Sequence, residues 1–208
     1  MTVLKNYFLF LMAFGLVLSA CGGEGITNRP NSRHYEFCVA CKEEYKGKGV
    51  RLHTPDVREE NLFDDVLNLN GLAKRPYFIC RAKRLRGNTA AYATSKVING
   101  RRVKYVVYDS EYFGDIDGIE ALFVIAHEIG HVVTPSHPDD TQHDRENYAD
   151  YFAGHTMYRM GISLWSALEQ ASTETPATDM HPSGVETQGA IRDGWKTAER
   201  VSKKYSRL

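Results

Sequence analysis

The stretch Gly118-Ile119-Glu120-Ala121-Leu122-Phe123-Val124-Ile125-Ala126-His127-Glu128-Ile129-Gly130-His131-Val132-Val133 decides how the rest of the chain is read. Its middle is apolar, and Asp117 or Gly118 can start a helix that Pro135 and Pro138 end. Within it, His127, Glu128 and His131 would be expensive to bury without a purpose. On a helix, positions four apart differ by only about 40°, so both imidazoles project from one face. Two neutral imidazoles at that spacing can hold one Zn2+ ion, and Glu128 beside them can take a proton from a water at the ion. The bland alternative is a set of satisfied polar groups in the core or on the surface.

A catalytic zinc needs a third protein ligand and one open position. Residues 144–160 read as a second helix ended by Gly161, on which Glu146 and Asp150 are again four apart. Glu146 can complete a two-His, one-Glu site, and Asp150 can accept a hydrogen bond from a ligand histidine, fixing its tautomer. A rival ligand is His137, six residues past His131, the spacing of the metzincin pattern. Thr134 stands where that pattern has Gly, and Glu146 would then have no assigned role. His143 is a further candidate. A solvated acidic face is the plain alternative for Glu146 and Asp150.

Before this helical half the pattern is of strands. Glu59 to Leu69 reads as a helix with Leu62, Phe63, Val66 and Leu69 on one side. Pro76 to Cys80 and Asn88 to Thr94 read as short strands. Asn99-Gly100 is a hairpin-turn signal leading into Arg102 to Tyr108, rich in β-branched and aromatic residues. After the two central helices, segments near 163–171 and from about Glu186 into the basic tail read as helical. Strands first and helices later imply an α+β domain, a small antiparallel or mixed sheet packed on a helix pair, with further C-terminal helices.

The N-terminal residues are read as export signal and not as fold. Tyr7 to Leu18 is apolar but short for a permanent membrane helix, and it ends in Leu18-Ser19-Ala20-Cys21. Cys21 in that setting resembles the lipidated cysteine of bacterial lipoproteins; an ordinary cleaved signal with an incidental Cys is the alternative. Gly22 follows, not Asp, so the retention signal of inner-membrane lipoproteins is missing. The expectation is a signal peptide over 1–20, a tether over 21–32 and one domain over 33–208. The protein would be lipid-anchored in the bacterial envelope, at the outer membrane facing the periplasm, touching the membrane only through that lipid. In an oxidising compartment Cys38 and Cys41 suit a disulfide, local or to Cys80; a redox pair or half of a metal site are the other options. No thioredoxin-like pattern surrounds them.

Composition excludes little but points away from nucleic acid. Lys+Arg and Asp+Glu number 26 each, so there is no basic excess, and the densest basic run, Arg81 to Arg86, reads as a solvated strand end or loop.

From about Asn88 onward, four segments resemble the gluzincin zinc peptidases, in particular the HtpX-type and CAAX-prenyl-protease-like group and its small soluble relatives. Asn88-Thr89-Ala90-Ala91 is similar to the strand ahead of the motif, and Ala126 to His131 to the zinc helix. Glu146-Asn147-Tyr148-Ala149-Asp150 is similar to the ligand helix, and His181-Pro182-Ser183 with Ala190 to Trp195 to the C-terminal segment. The resemblance implies a zincin-like fold and a zinc-dependent endopeptidase acting on a peptide or protein substrate. Zinc would be held by His127, His131 and Glu146, with Glu128 as base, Asp150 orienting a ligand and His181 stabilising the oxyanion. Asn88, Ala90 and Ala91 would pair with the substrate backbone. The family places an Arg six residues after the His of the His-Pro motif, where this chain has Thr187; Arg192 is the nearest replacement in sequence. That departure makes a metal-binding scaffold lipoprotein, weak or inactive in catalysis, the alternative function.

Overall fold

The branched and aromatic residues of Val103 to Tyr108 fill the middle of a sheet, as their shape on a pleated surface favours. The computed structural model describes residues 52–73, 77–85, 89–98, 100–134 and 137–206, all within the compact unit Ala40–Leu208. The expected signal peptide and tether, Cys21, Cys38, Cys41 and Asn88 lie outside the described residues. Among the described residues no helix is long and apolar enough to cross a membrane.

Strand β1 (Leu52–His53), β2 (Tyr77–Ala82), β3 (Ala91–Ile98) and β4 (Arg101–Asp109) form one sheet in the order β1-β2-β4-β3. The chain leaves β2, runs out along β3, and turns at Gly100, whose φ of 77° suits a residue without Cβ. It returns as β4 between its two predecessors, parallel to β2 and antiparallel to β3. The sheet is therefore mixed, and the fold is α+β. β3 runs on to Ile98 where the sequence had suggested an end near Thr94, because the Gly100 turn keeps both arms in register. Cys80, buried on β2, is disulfide-bonded, as one of the sequence alternatives allowed.

The helices are α1 (Val57–Leu69), α2 (Ser110–Asp115), α3 (Gly118–Val133), α4 (Gln142–Arg159), α5 (Leu164–Leu168) and α6 (Gly184–Tyr205). Phe63, Val66 and Leu67 of α1 and Leu122, Ile125 and Ile129 of α3 pack with Ile79, Val106 and Tyr108 of the sheet. The buried stripe of α1 is centred on Leu67 and not on Leu69; Asn70 ends the helix and bonds the buried Thr156 of α4 at 3.0 Å. α2 was not foreseen: Asp109 is the last residue of β4 and also caps the next turn, accepting from the Glu111 and Tyr112 amides. Asp117 caps α3 in the same way. Thr141 and Asp144 form a capping box that starts α4 at Gln142, two residues ahead of the expected start. Lys104 of β4 donates to the Val132 carbonyl in the last turn of α3, tying that helix end to the sheet.

Candidate metal centre

Gly130 brings α3 and α4 together. A Cβ at this position would stand 2.8 Å from the Ala149 Cα, so only glycine lets the two backbones approach this closely. One helical step to either side of that contact lie the polar pairs. His127 and His131 on α3 face Glu146 and Asp150 on α4, and spacing along each chain becomes a cluster in space. The ligand-type atoms of His127, His131 and Glu146 all lie within 4.8 Å of one another. His127 Nε2 is 3.0 Å from His131 Nε2 and 3.3 Å from Glu146 Oε2, and His131 Nε2 is 3.6 Å from Glu146 Oε1. Tetrahedral bonds of about 2.0–2.1 Å to nitrogen and oxygen hold ligand atoms about 3.3 Å apart. The three separations bracket that value, so the set fits a divalent metal ion.

The electrostatics point the same way. Glu128, Glu146 and Asp150 are all buried, and they face two imidazoles. Burial alone would lower His127, but its hydrogen bonds to Asp150 and Glu146 prevail and hold it up at about 10. Burial works on Glu146 in the opposite sense, and its bonds to His127 and His131 overcome it, leaving that carboxyl well below the usual range. The pocket thus holds positive charge where the two Nε2 atoms meet the carboxylate, which is where a cation would sit. Asp150 Oδ1 accepts from His127 Nδ1 at 2.8 Å, which reserves Nε2 for that spot.

Glu128, beside these histidines, also meets the sheet. Burial pushes its carboxyl up, opposed by the nearby histidines and by a hydrogen bond from the Ala93 amide. That bond is available for a reason of register. The Asp109 amide donates to the Ala90 carbonyl at 2.8 Å, so Ala90 and Asp109 are a hydrogen-bonded pair. Such pairs alternate along an antiparallel ladder. Ala91, Ala93 and Ser95 therefore turn their backbone groups away from β4, to the open side of β3, the outer strand among those described.

The site thus gathers His127, Glu128, His131, Glu146 and Asp150, and it adds His181, whose Nδ1 is 3.2 Å from Glu146 Oε2. His137 is not part of it: the ring is exposed and lies 3.4 Å from Asp139 Oδ2, because the chain turns to solvent once α3 has ended. His143 is bonded to the Thr178 carbonyl instead. Ala91 opens β3 and Ala90 precedes it, its carbonyl taken by the Asp109 amide, but the strand residue that touches the site is Ala93. Arg192 forms no ion pair with any described residue. Two contributors went unnoticed in the sequence. Gln142 donates to Glu146 Oε1 at 2.7 Å, a partner that four-residue helical spacing would have suggested. The Ala93 amide had no such signal, since it depends on the sheet register.

No family model, curated protein or solved structure matches this chain.

Proposed function

We propose that this chain is a zinc-dependent endopeptidase, exported and anchored by lipid at Cys21 to the bacterial envelope. The observation that carries the reading is the buried Glu128 carboxyl beside a His127, His131 and Glu146 ligand set, since a purely structural metal has no use for a neighbouring base. Two imidazoles and one carboxylate suit zinc with a position left open. The resemblance of four ordered segments to the gluzincins supports the same assignment, including a zincin-like packing of α3 and α4.

Zinc, when bound, would supply Lewis acidity toward a scissile carbonyl and an attacking water. The chain's own residues do the rest. Glu128, raised by burial and aimed by the Ala93 amide, accepts the water's proton and returns it to the leaving amine. Asp150 keeps the His127 ring in the ligand tautomer. An extended substrate would lie along the open side of β3 from Ala91 toward Ser95, main chain to main chain. His181 is the candidate donor to the oxyanion. With Nδ1 on Glu146, a donor at Nε2 requires the doubly protonated ring.

Glu128→Gln should leave one metal ion per chain while lowering peptide hydrolysis by about 10²–10⁴-fold. Comparable cleavage by the purified variant would remove Glu128 from the mechanism. One observation favours a second reading, a metal-binding scaffold lipoprotein: Thr187 stands where the family has arginine. A peptide-library digest with and without chelator separates the two.

A further inference from the structure

We propose that His143 is a positioning residue that sets His181 against Glu146 by holding the Thr178 carbonyl. The inference rests on the metal-site reading above and names how that site is held closed on one side.

The segment between α5 and α6 is exposed from Ser172 through His181. Its far end is fixed where the chain enters α6: the Gly184 amide donates to the Thr175 carbonyl at 2.9 Å, and a Cβ on Gly184 would collide with the Ser172 carbonyl. The apex is a tight turn built on Thr178. The Thr178 amide donates to the His181 carbonyl at 2.8 Å, and the Thr178 hydroxyl accepts from the His181 amide at 3.0 Å and the Met180 amide at 3.3 Å. This turn meets α4 through two reciprocal bonds. His143 Nε2 reaches out from α4 to the Thr178 carbonyl at 2.6 Å, and His181 Nδ1 reaches back from the turn to Glu146 Oε2 at 3.2 Å.

Residues 143 and 146 share a helix face, being three apart, and 178 and 181 are the two ends of one turn. One bond would leave the turn free to pivot about it; two bonds in this register fix both its height and its rotation. The imidazole of His143 also lies near the carboxylates that cap α4 and α6. Those carboxylates, Asp144 and Glu186, accept from the Thr141 and Ser183 hydroxyls at the two helix starts. His143 thus stands at the junction of both helix starts and the turn. Gln142, its neighbour, takes the other oxygen of Glu146 at 2.7 Å, so the ligand carboxylate is gripped from both sides only while the turn is docked.

The test uses the mature chain with His143→Ala, His143→Gln, His181→Ala and the double variant His143→Ala/His181→Ala. Zinc affinity is measured by chelator competition, and kcat and KM on a peptide substrate. His143→Ala should weaken zinc binding about fivefold to tenfold, as should His181→Ala, and the double variant should be no weaker than His181→Ala alone. His143→Gln keeps an N–H donor at the end of the side chain and should bind zinc within about twofold of the parent. On the peptide, His143→Ala should lower kcat with KM little changed. Additive losses in the double variant, no rescue by Gln, or a His181→Ala variant with the parent's zinc affinity would each overturn the proposal. The affinity arm does not depend on turnover. A chain that cleaves nothing yet shows the non-additive pattern would sink the peptidase reading and leave this positioning role standing.

Discussion

Helix α4 meets two neighbours at close crossings, and its two halves treat them differently. The N-terminal half carries Glu146 and Asp150 to the histidines of α3, with Gln142 donating to Glu146. The C-terminal half carries Ala153, Gly154 and Met157, all buried, with Gly154 against Ile191 of α6 and Gly194 of α6 against Tyr151. Both crossings depend on glycine. At α3, Gly130 makes room so that charged groups can meet; at α6, the room is used by the backbones themselves. The difference teaches that one helix can separate its duties by position: one half is held by shape, the other by charge that a proton or a metal must balance. Shape complementarity is indifferent to pH and chelators, whereas the charged half answers to both.

That comparison can be broken in three ways. The largest effect belongs to the steric half. Gly154→Ala or Gly194→Ala drives a Cβ into the Ile191 or Tyr151 carbonyl. Overpacking of this kind costs about 1–3 kcal/mol or more, or a drop in Tm of about 3–10 °C for a domain of this size. Thermal unfolding should show the same drop with and without chelator; a drop that vanishes when metal is stripped would mean that the crossings are not separate.

Asp150→Asn tests the charged half. Losing the carboxylate that orients His127 should weaken metal binding about 10–100-fold. The thermal midpoint of the metal-free protein should move less than in Gly194→Ala. Chelator competition beside thermal unfolding reads both numbers, and a variant that keeps its metal affinity would show that His127 needs no orienting partner.

The smallest effect is a count of protons. Metal-free His127 titrates at about 10, so at neutral pH it holds a proton that a metal ion must displace. Metal uptake should release about one proton from His127. Affinity should rise with pH, by about tenfold per unit, until the ring deprotonates unaided near 10. Calorimetry in buffers of different ionisation enthalpy measures the release. An affinity flat from pH 7 to 9 would separate the His127 ring from the metal.

Residue by residue, much of the polar half was legible early. His127, Glu128 and His131 share a helix whose limits are written in Asp117 at one end and the prolines beyond Val133 at the other. Glu146 and Asp150 share another by the same four-residue period. Local periodicity carries this information because a helix makes its own hydrogen bonds, so facing residues follow from spacing alone. The sheet was less legible. That β4 inserts beside β2 in parallel, or that β3 extends to Ile98, depends on pairings between distant segments.

By itself, then, the sequence determined which side chains share a face on α3 and α4 and where α3 begins and ends. Tertiary structure alone decided that the two faces meet at Gly130, that Glu146 and not His137 joins the imidazoles, and that the Ala93 amide reaches Glu128. The physical reason is range. Helical spacing is enforced within a few residues by the backbone, whereas a ligand set drawn from two helices and a strand exists only once packing has removed the alternatives.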